Sequence, residues 1–164
     1  MVKKYKYYYA EANYGKNEID AVLSVLKNQR HFLMGGNQTL MLEKKVSKLF
    51  SMKHGLMTNS GSSSNLLAIA SFEFLKGSEI ITPALTFSTT VSPIIHCGLI
   101  PAFVDIDLKT LQINTKSIEK AINKKTVAIM VPNLIGNIAD WKKLRFIADK
   151  YKLKLIDDSA DTIG

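Results

Sequence analysis

Thr126-Val-Ala-Ile-Met-Val131, Trp141-Lys-Lys-Leu-Arg-Phe-Ile-Ala-Asp-Lys-Tyr151 and Leu153-Lys-Leu-Ile156, running into Asp157-Asp158, decide the fold. The first segment is an uninterrupted apolar run, the pattern of a strand covered on both faces. The second places Trp141, Leu144, Ala148 and Tyr151 on one helical face. The third is again a short apolar strand. Strand, helix and strand in this order read as a βαβ unit, because parallel neighbours need a long crossover.

The same alternation extends toward the N-terminus. Asn17 to Gln29 reads as a helix with Ile19, Val22, Leu23 and Leu26 on one stripe. Phe32 to Asn37 is a loop broken by Gly35-Gly36. Gln38 to Phe50 is a second helix, carrying Leu42, Val46, Leu49 and Phe50. His54 to Thr58 reads as a short strand, and Asn59-Ser-Gly-Ser-Ser-Ser-Asn65 as the loop before a helix from Leu66 to about Leu75. Strands follow at Glu79–Thr82 and Ile100–Ile106, around a helix at Ser88–Cys97 that contains Pro93. A short helix spans Ser117–Ile122. The expectation is an α/β, three-layer sandwich with a mostly parallel sheet, and loops 59–65, 83–90, 132–138 and 157–164 at its chemically useful ends.

Composition narrows the function classes. The chain has 164 residues, 46% of them hydrophobic, so a packed core is expected and disorder is not. No apolar run approaches the roughly 20 residues of a membrane helix, and Met1–Tyr9 has charge without the apolar centre of a secretory signal. The single Cys97 allows no internal disulfide, which fits a cytoplasmic setting. The formal charge is +8, but its lysines recur along the whole chain. That spread reads as solvated surface or attraction for an anionic ligand, and neither nucleic acid nor membrane is expected as a partner.

The chemistry-bearing candidates lie in those loops. Asn59–Asn65 joins a strand to a helix, where free N–H groups and the helix dipole favour an anion. Gly61 permits a tight turn, and the serine hydroxyls add donors. The loop reads equally as a serine-rich helix cap, and it is neither a Walker loop nor a dinucleotide fingerprint. Phe87, in Pro83-Ala-Leu-Thr-Phe87, is either a core residue or a surface on which a flat ligand stacks. Asp157-Asp158-Ser-Ala-Asp161 sets carboxylates at the end of an apolar strand, where burial is costly without a partner. They can bind a metal, act as a base, pair with a protonated ring nitrogen, or cap a following helix. Asp105 and Asp107 read as a solvated turn. His31, His54 and His96 show no metal-ligand spacing.

Taken in order, Ser60-Gly-Ser-Ser, Pro83-Ala-Leu-Thr-Phe87, Phe103-Val-Asp-Ile-Asp107, Leu134-Ile-Gly-Asn137 and Ile156-Asp-Asp158 resemble the DegT/StrS sugar aminotransferase family. The resemblance runs from about Tyr14 to Gly164. It implies the large domain of a fold type I enzyme dependent on pyridoxal 5'-phosphate (PLP) or its pyridoxamine form (PMP). It also implies roles. Ser62 and Ser63 match the positions that hold the cofactor phosphate, and Phe87 the aromatic that stacks on the pyridine ring. Asp158 matches the aspartate paired with the ring N1–H, which keeps the ring an electron sink. Asp161 matches the position beside the cofactor's 3-hydroxyl. There the aminotransferases usually carry Gln or His, and some dehydratases carry an acid.

Leu134-Ile-Gly-Asn137 also resembles the branch that removes the C3 hydroxyl of nucleotide-linked 4-keto-6-deoxy sugars. The resemblance therefore implies a nucleotide-sugar substrate, with transamination or C3 dehydration as the reaction, in polysaccharide or deoxysugar biosynthesis. The family's catalytic lysine, or the histidine that replaces it in dehydratases, falls beyond Gly164, so no catalytic residue is assigned here. Residues 1–164 are expected to be the N-terminal portion of the large domain, without the small C-terminal domain and with an exposed sheet edge. Alone they are expected to bind PLP weakly and turn over nothing, whereas the full-length enzyme is expected to be a homodimer. The competing expectation is a noncatalytic remnant acting as a binding or dimerisation module.

Overall fold

The computed structural model describes residues 12–31 and 33–162. The Met1–Tyr9 stretch, with Lys3, Lys4 and Lys6, and Phe32 lie outside the described residues. The chain forms two compact units, Met1–Leu56 and Met57–Gly164.

The first unit holds two helices, α1 (Lys16–Asn28) and α2 (Asn37–Leu49). Glu18 starts α1, its carboxylate accepting from the Gly15 N–H at 2.7 Å. This bond, and a second from its own backbone N–H, hold its carboxyl below the ordinary range. The expected apolar stripes are present, yet neither helix buries a side chain.

The second unit contains α3 (Gly61–Ala70), β1 (Glu79–Pro83), α4 (Ser88–His96), β2 (Ile100–Val104), β3 (Ile106–Asp107), β4 (Gln112–Ile113), α5 (Thr115–Ala121), β5 (Thr126–Pro132), α6 (Trp141–Tyr151) and β6 (Lys154–Asp158). The main sheet has the order β2-β1-β5-β6, and all its pairings are parallel. Successive residues of each strand face opposite sides. Ile80, Ala128, Met130 and Ile156 pack with Ile69 of α3 and Ile94 of α4. Ile81, Ile129 and Val131 pack with Ile118 of α5 and with Leu144, Ile147 and Ala148 of α6. Two cores explain why the strands are apolar throughout, and each fully buried Ile contributes about 1.5–3 kcal/mol. The three-layer, mostly parallel expectation is met. The strand order reverses between β1 and β5, and in such sheets the crevice for a ligand opens there, beyond the carboxyl ends.

The structure corrects several local expectations. His54 to Thr58 is not a strand, and among the described residues it belongs to neither sheet. The Thr58 hydroxyl is instead 2.6 Å from the Ser64 hydroxyl. Helix α3 begins at Gly61, not Leu66, since the Ser60 side chain caps it by accepting from the Ser63 N–H. It ends at Ala70 rather than Leu75, ahead of a left-handed Glu73. The strand expected from Ile100 to Ile106 breaks after Val104. Its tail forms the small antiparallel hairpin β3–β4, which the sequence reading missed. Helix α5 starts two residues earlier than expected, where the Asn114 side chain accepts from the Lys116 N–H. On α6, Ile147 is buried and Tyr151 is exposed, so the inner face is Leu144, Ile147 and Ala148, with Trp141 partly buried against the same core as expected.

Candidate functional site

The carboxyl end of β6 delivers Asp158 into the crevice side of the sheet, where it is 8% exposed. A buried carboxylate must be hydrogen-bonded. Its Oδ2 accepts from Asn65 Nδ2 and from Thr90 Oγ1, each at 2.8 Å. Its Oδ1 accepts from the Ala160 N–H at 3.3 Å. Asn65 stands on α3 and Thr90 on α4, so this carboxylate ties both helices of one layer to the sheet edge.

Those two helices bring in the other expected residues. Thr90 sits in the first turn of α4, and its N–H donates to the carbonyl of Phe87 at 3.0 Å. Phe87 is 65% exposed and forms a free aromatic face, so the reading of Phe87 as a core residue is excluded. Asn65 lies one turn into α3, whose first turn carries Ser62 and Ser63. Ser60 caps Ser63, and the Ser60 hydroxyl lies 3.2 Å from the Ser63 hydroxyl. The first amides of any helix lack intrahelical acceptors, so this turn presents donors to an anion. Gly61 is not in the left-handed region, so no tight turn demands it. A Cβ there would meet only Ala160 Cβ, at 3.8 Å. That distance sets the start of α3 against the segment after Asp158.

Asp161 is engaged differently from what its sequence position suggests. Its Oδ2 accepts from the Ile135 N–H at 2.9 Å. Ile135 has φ of 58° within the turn Leu134–Gly136. A β-branched residue is strained in this region, and the Asp161 carboxylate helps hold it there. The far end of the turn is fastened by Gln112 Nε2, which donates to the Asn137 carbonyl at 2.7 Å.

Asn133, at the end of β5 and 3% exposed, is the junction of these loops. Its Oδ1 accepts from Trp141 Nε1 at 2.9 Å and the Ala139 N–H at 3.1 Å. Its Nδ2 donates to Asp157 Oδ1 at 3.1 Å and faces Ser159 Oγ at 3.3 Å. Partial burial, and to a smaller degree the Asp158 charge, raises the Asp157 carboxyl above the ordinary range, with the Ser159 hydroxyl opposing. Asp105 and Asp107 cap their own turn, accepting from the N–H groups of Ile106 and Lys109, as a solvated turn should.

The structure thus brings Ser62, Ser63, Phe87 and Asp158 onto the connected ends of α3, α4 and β6, with Asp161 one turn further on. Asn65, Thr90 and Asn133 were missed by the sequence reading. Their signal was their place in the segments 59–65, 83–90 and 132–138 at the carboxyl ends of the strands, within which local sequence does not single them out.

The chain matches the DegT/DnrJ/EryC1/StrS aminotransferase family over residues 12–164. It belongs to that family. Among DegT/DnrJ/EryC1/StrS relatives, the lipopolysaccharide biosynthesis protein RfbH of Salmonella typhimurium is 44% identical over 130 residues, covering 74% of this chain and 30% of RfbH. The GDP-4-keto-6-deoxy-D-mannose 3-dehydratase of Yersinia pseudotuberculosis is 34% identical, over 94% of this chain and 40% of its own length. The E. coli GDP-4-keto-6-deoxy-D-mannose-3-dehydratase, solved with bound hydrated PLP, superposes with a TM-score of 0.89 at 34% identity, covering 97% of this chain and 42% of that one. The chain spans less than half the length of these relatives.

Proposed function

We propose that this chain supplies the N-terminal portion of the large, cofactor-binding domain of an enzyme dependent on PLP or PMP. The enzyme acts on a nucleotide-linked keto-deoxy sugar, by transamination or by C3 dehydration. The observation that carries this reading is the buried Asp158 carboxylate, held by two donors on one oxygen beside the exposed Phe87. A carboxylate so placed suits a protonated ring nitrogen.

The residues fit the group. Asp158 would hold the ring N1–H through Oδ1, and Phe87 would cover one ring face. The first turn of α3, with Ser62 and Ser63, would hold the phosphate. Asp161 would stand near the 3-hydroxyl, with one oxygen already given to Ile135. When bound, the cofactor supplies an electron sink for bond breaking at the sugar carbon next to its nitrogen. The chain's part is to keep the ring proton in place, orient the ring and fix the phosphate. Between the two reactions, the dehydratase relatives share the nucleotide-linked 4-keto-6-deoxy substrate that Leu134-Ile-Gly-Asn137 suggested. The full-length enzyme is proposed to be a homodimer, and residues 1–164 alone to bind PLP weakly without turnover.

The test is equilibrium binding of PMP to the full-length protein, followed by incubation with GDP-4-keto-6-deoxymannose. Micromolar binding lost in Asp158→Ala, together with a 3-deoxy or an amino sugar product, is expected. Absence of PMP binding to folded wild-type protein would refute the reading.

A further inference from the structure

The Asp158 clamp contains an arrangement whose logic begins at Pro93. Proline has no N–H, so within α4 the carbonyl four residues earlier loses its helical donor. That carbonyl belongs to Thr89. It is satisfied from outside the helix by Asn65 Nδ2, at 3.2 Å. The same nitrogen donates to Asp158 Oδ2 at 2.8 Å. A primary amide has two N–H bonds, and here each has one acceptor. Reversing the amide would set its oxygen against both the Thr89 carbonyl and the Asp158 carboxylate, so the orientation is fixed. Thr90, fully buried and next in sequence, donates its hydroxyl to the same Oδ2 at 2.8 Å.

Oδ2 therefore carries both strong donors. Among the described residues, Oδ1 has only the longer contact to the Ala160 N–H, at 3.3 Å. The carboxylate is asymmetric, with one oxygen tied into the protein and the other left for an incoming donor.

We propose that Asn65 and Thr90 are positioning residues for Asp158. They fix its carboxylate rotation so that Oδ1 faces the cofactor ring nitrogen, and Pro93 holds Asn65 in place by leaving the Thr89 carbonyl open. Both side chains spend their donors within the protein, on the Thr89 carbonyl and Asp158 Oδ2, so their proposed action on the cofactor runs through Asp158. The inference rests on the cofactor reading above and adds two residues that act through Asp158. A purely structural role would be to join α3 to α4, which would affect folding but not the action of Asp158.

The discriminating experiment is a double-mutant cycle on PMP affinity in the full-length protein, with melting temperature recorded for every variant. Thr90→Val keeps the shape and removes the donor. It is expected to weaken PMP binding by about tenfold or more, the scale of a lost hydrogen bond to a charged group. Thr90→Ser restores the hydroxyl and is expected to return affinity to within about threefold of wild type. In an Asp158→Asn background, Thr90→Val is expected to add less than about twofold, since coupled residues are non-additive. Asn65→Ala should behave in the same way, and it serves if Thr90→Val does not fold.

Wild-type affinity in a folded Thr90→Val protein would overturn the proposal. So would a loss that adds in full to that of Asp158→Asn, because the residue would then act independently of the carboxylate. If wild-type protein binds no PMP, the cofactor reading and this inference fall together. If it binds PMP and the effects add, only this inference falls.

Discussion

The two units of this chain use apolar residues in opposite ways. In Met1–Leu56, α1 and α2 carry clean apolar stripes and bury nothing. In Met57–Gly164, the strands are apolar on both sides and fill two cores. Periodicity is sufficient to make a helix amphipathic, but burial depends on what lies opposite. A parallel sheet brings its own covering helices through its crossovers. Stability should therefore be concentrated in the second unit, and substitutions of similar chemistry should differ sharply between the two.

The largest effect is expected for Ile129→Ala, at the centre of β5. Ile129 is fully buried, and its truncation should cost about 2–5 kcal/mol in urea unfolding. Trp141, the single tryptophan, reports this unit by fluorescence. Asp158→Ala comes next, at about 1–3 kcal/mol, because it strips the acceptor from the buried Asn65 and Thr90 donors. The same variant should abolish PMP binding. Asp140→Ala removes the side chain that accepts from the Lys143 N–H at the start of α6, and should cost about 1 kcal/mol.

Val22→Ala in α1 should move stability by less than about 0.5 kcal/mol, since Val22 is 59% exposed. A loss above about 1.5 kcal/mol would mean that the stripe is covered in solution, and the contrast between the units would fail. The smallest effect concerns pH. The folded carboxyl of Asp157 is raised, so the folded state binds its proton more tightly than the unfolded chain does. Stability contributed there is present at low pH and declines as pH rises from the ordinary carboxylate range through the raised value. Asp157→Asn should flatten this part of the stability–pH profile, measured by melting temperature between about pH 3 and pH 6.

Much of the fold was legible because local rules and tertiary demands agree in it. The Thr126–Val131 run and the α6 stripe specified a strand and a helix unaided. The His54–Thr58 expectation failed because a strand is defined by its place in a sheet, and among the described residues this segment joins neither sheet. The α3 boundary was misplaced because the serines were read as loop, whereas Ser60 caps and the next three residues are already helical. Phe87 had two readings, core or exposed platform, and local sequence had no means of choosing. The structure leaves its ring largely in solvent.

The sequence by itself determined the alternation of the main-sheet strands with their covering helices, the apolar character of that sheet, and the segments at its carboxyl ends. It did so because hydrophobic period and capping chemistry act over a few residues, and because the quoted motifs follow one family's order. Only the tertiary structure decided the strand order β2-β1-β5-β6, which sets the crevice between β1 and β5. It alone joined Asn65, Thr90 and Asp158, which lie up to 93 residues apart. It alone showed that Asp161 fastens the Ile135 turn. Such partners are chosen by desolvation. Once the sheet buries Asp158, its oxygens must take the donors that the packing of α3 and α4 brings within reach, and no local pattern records which those are.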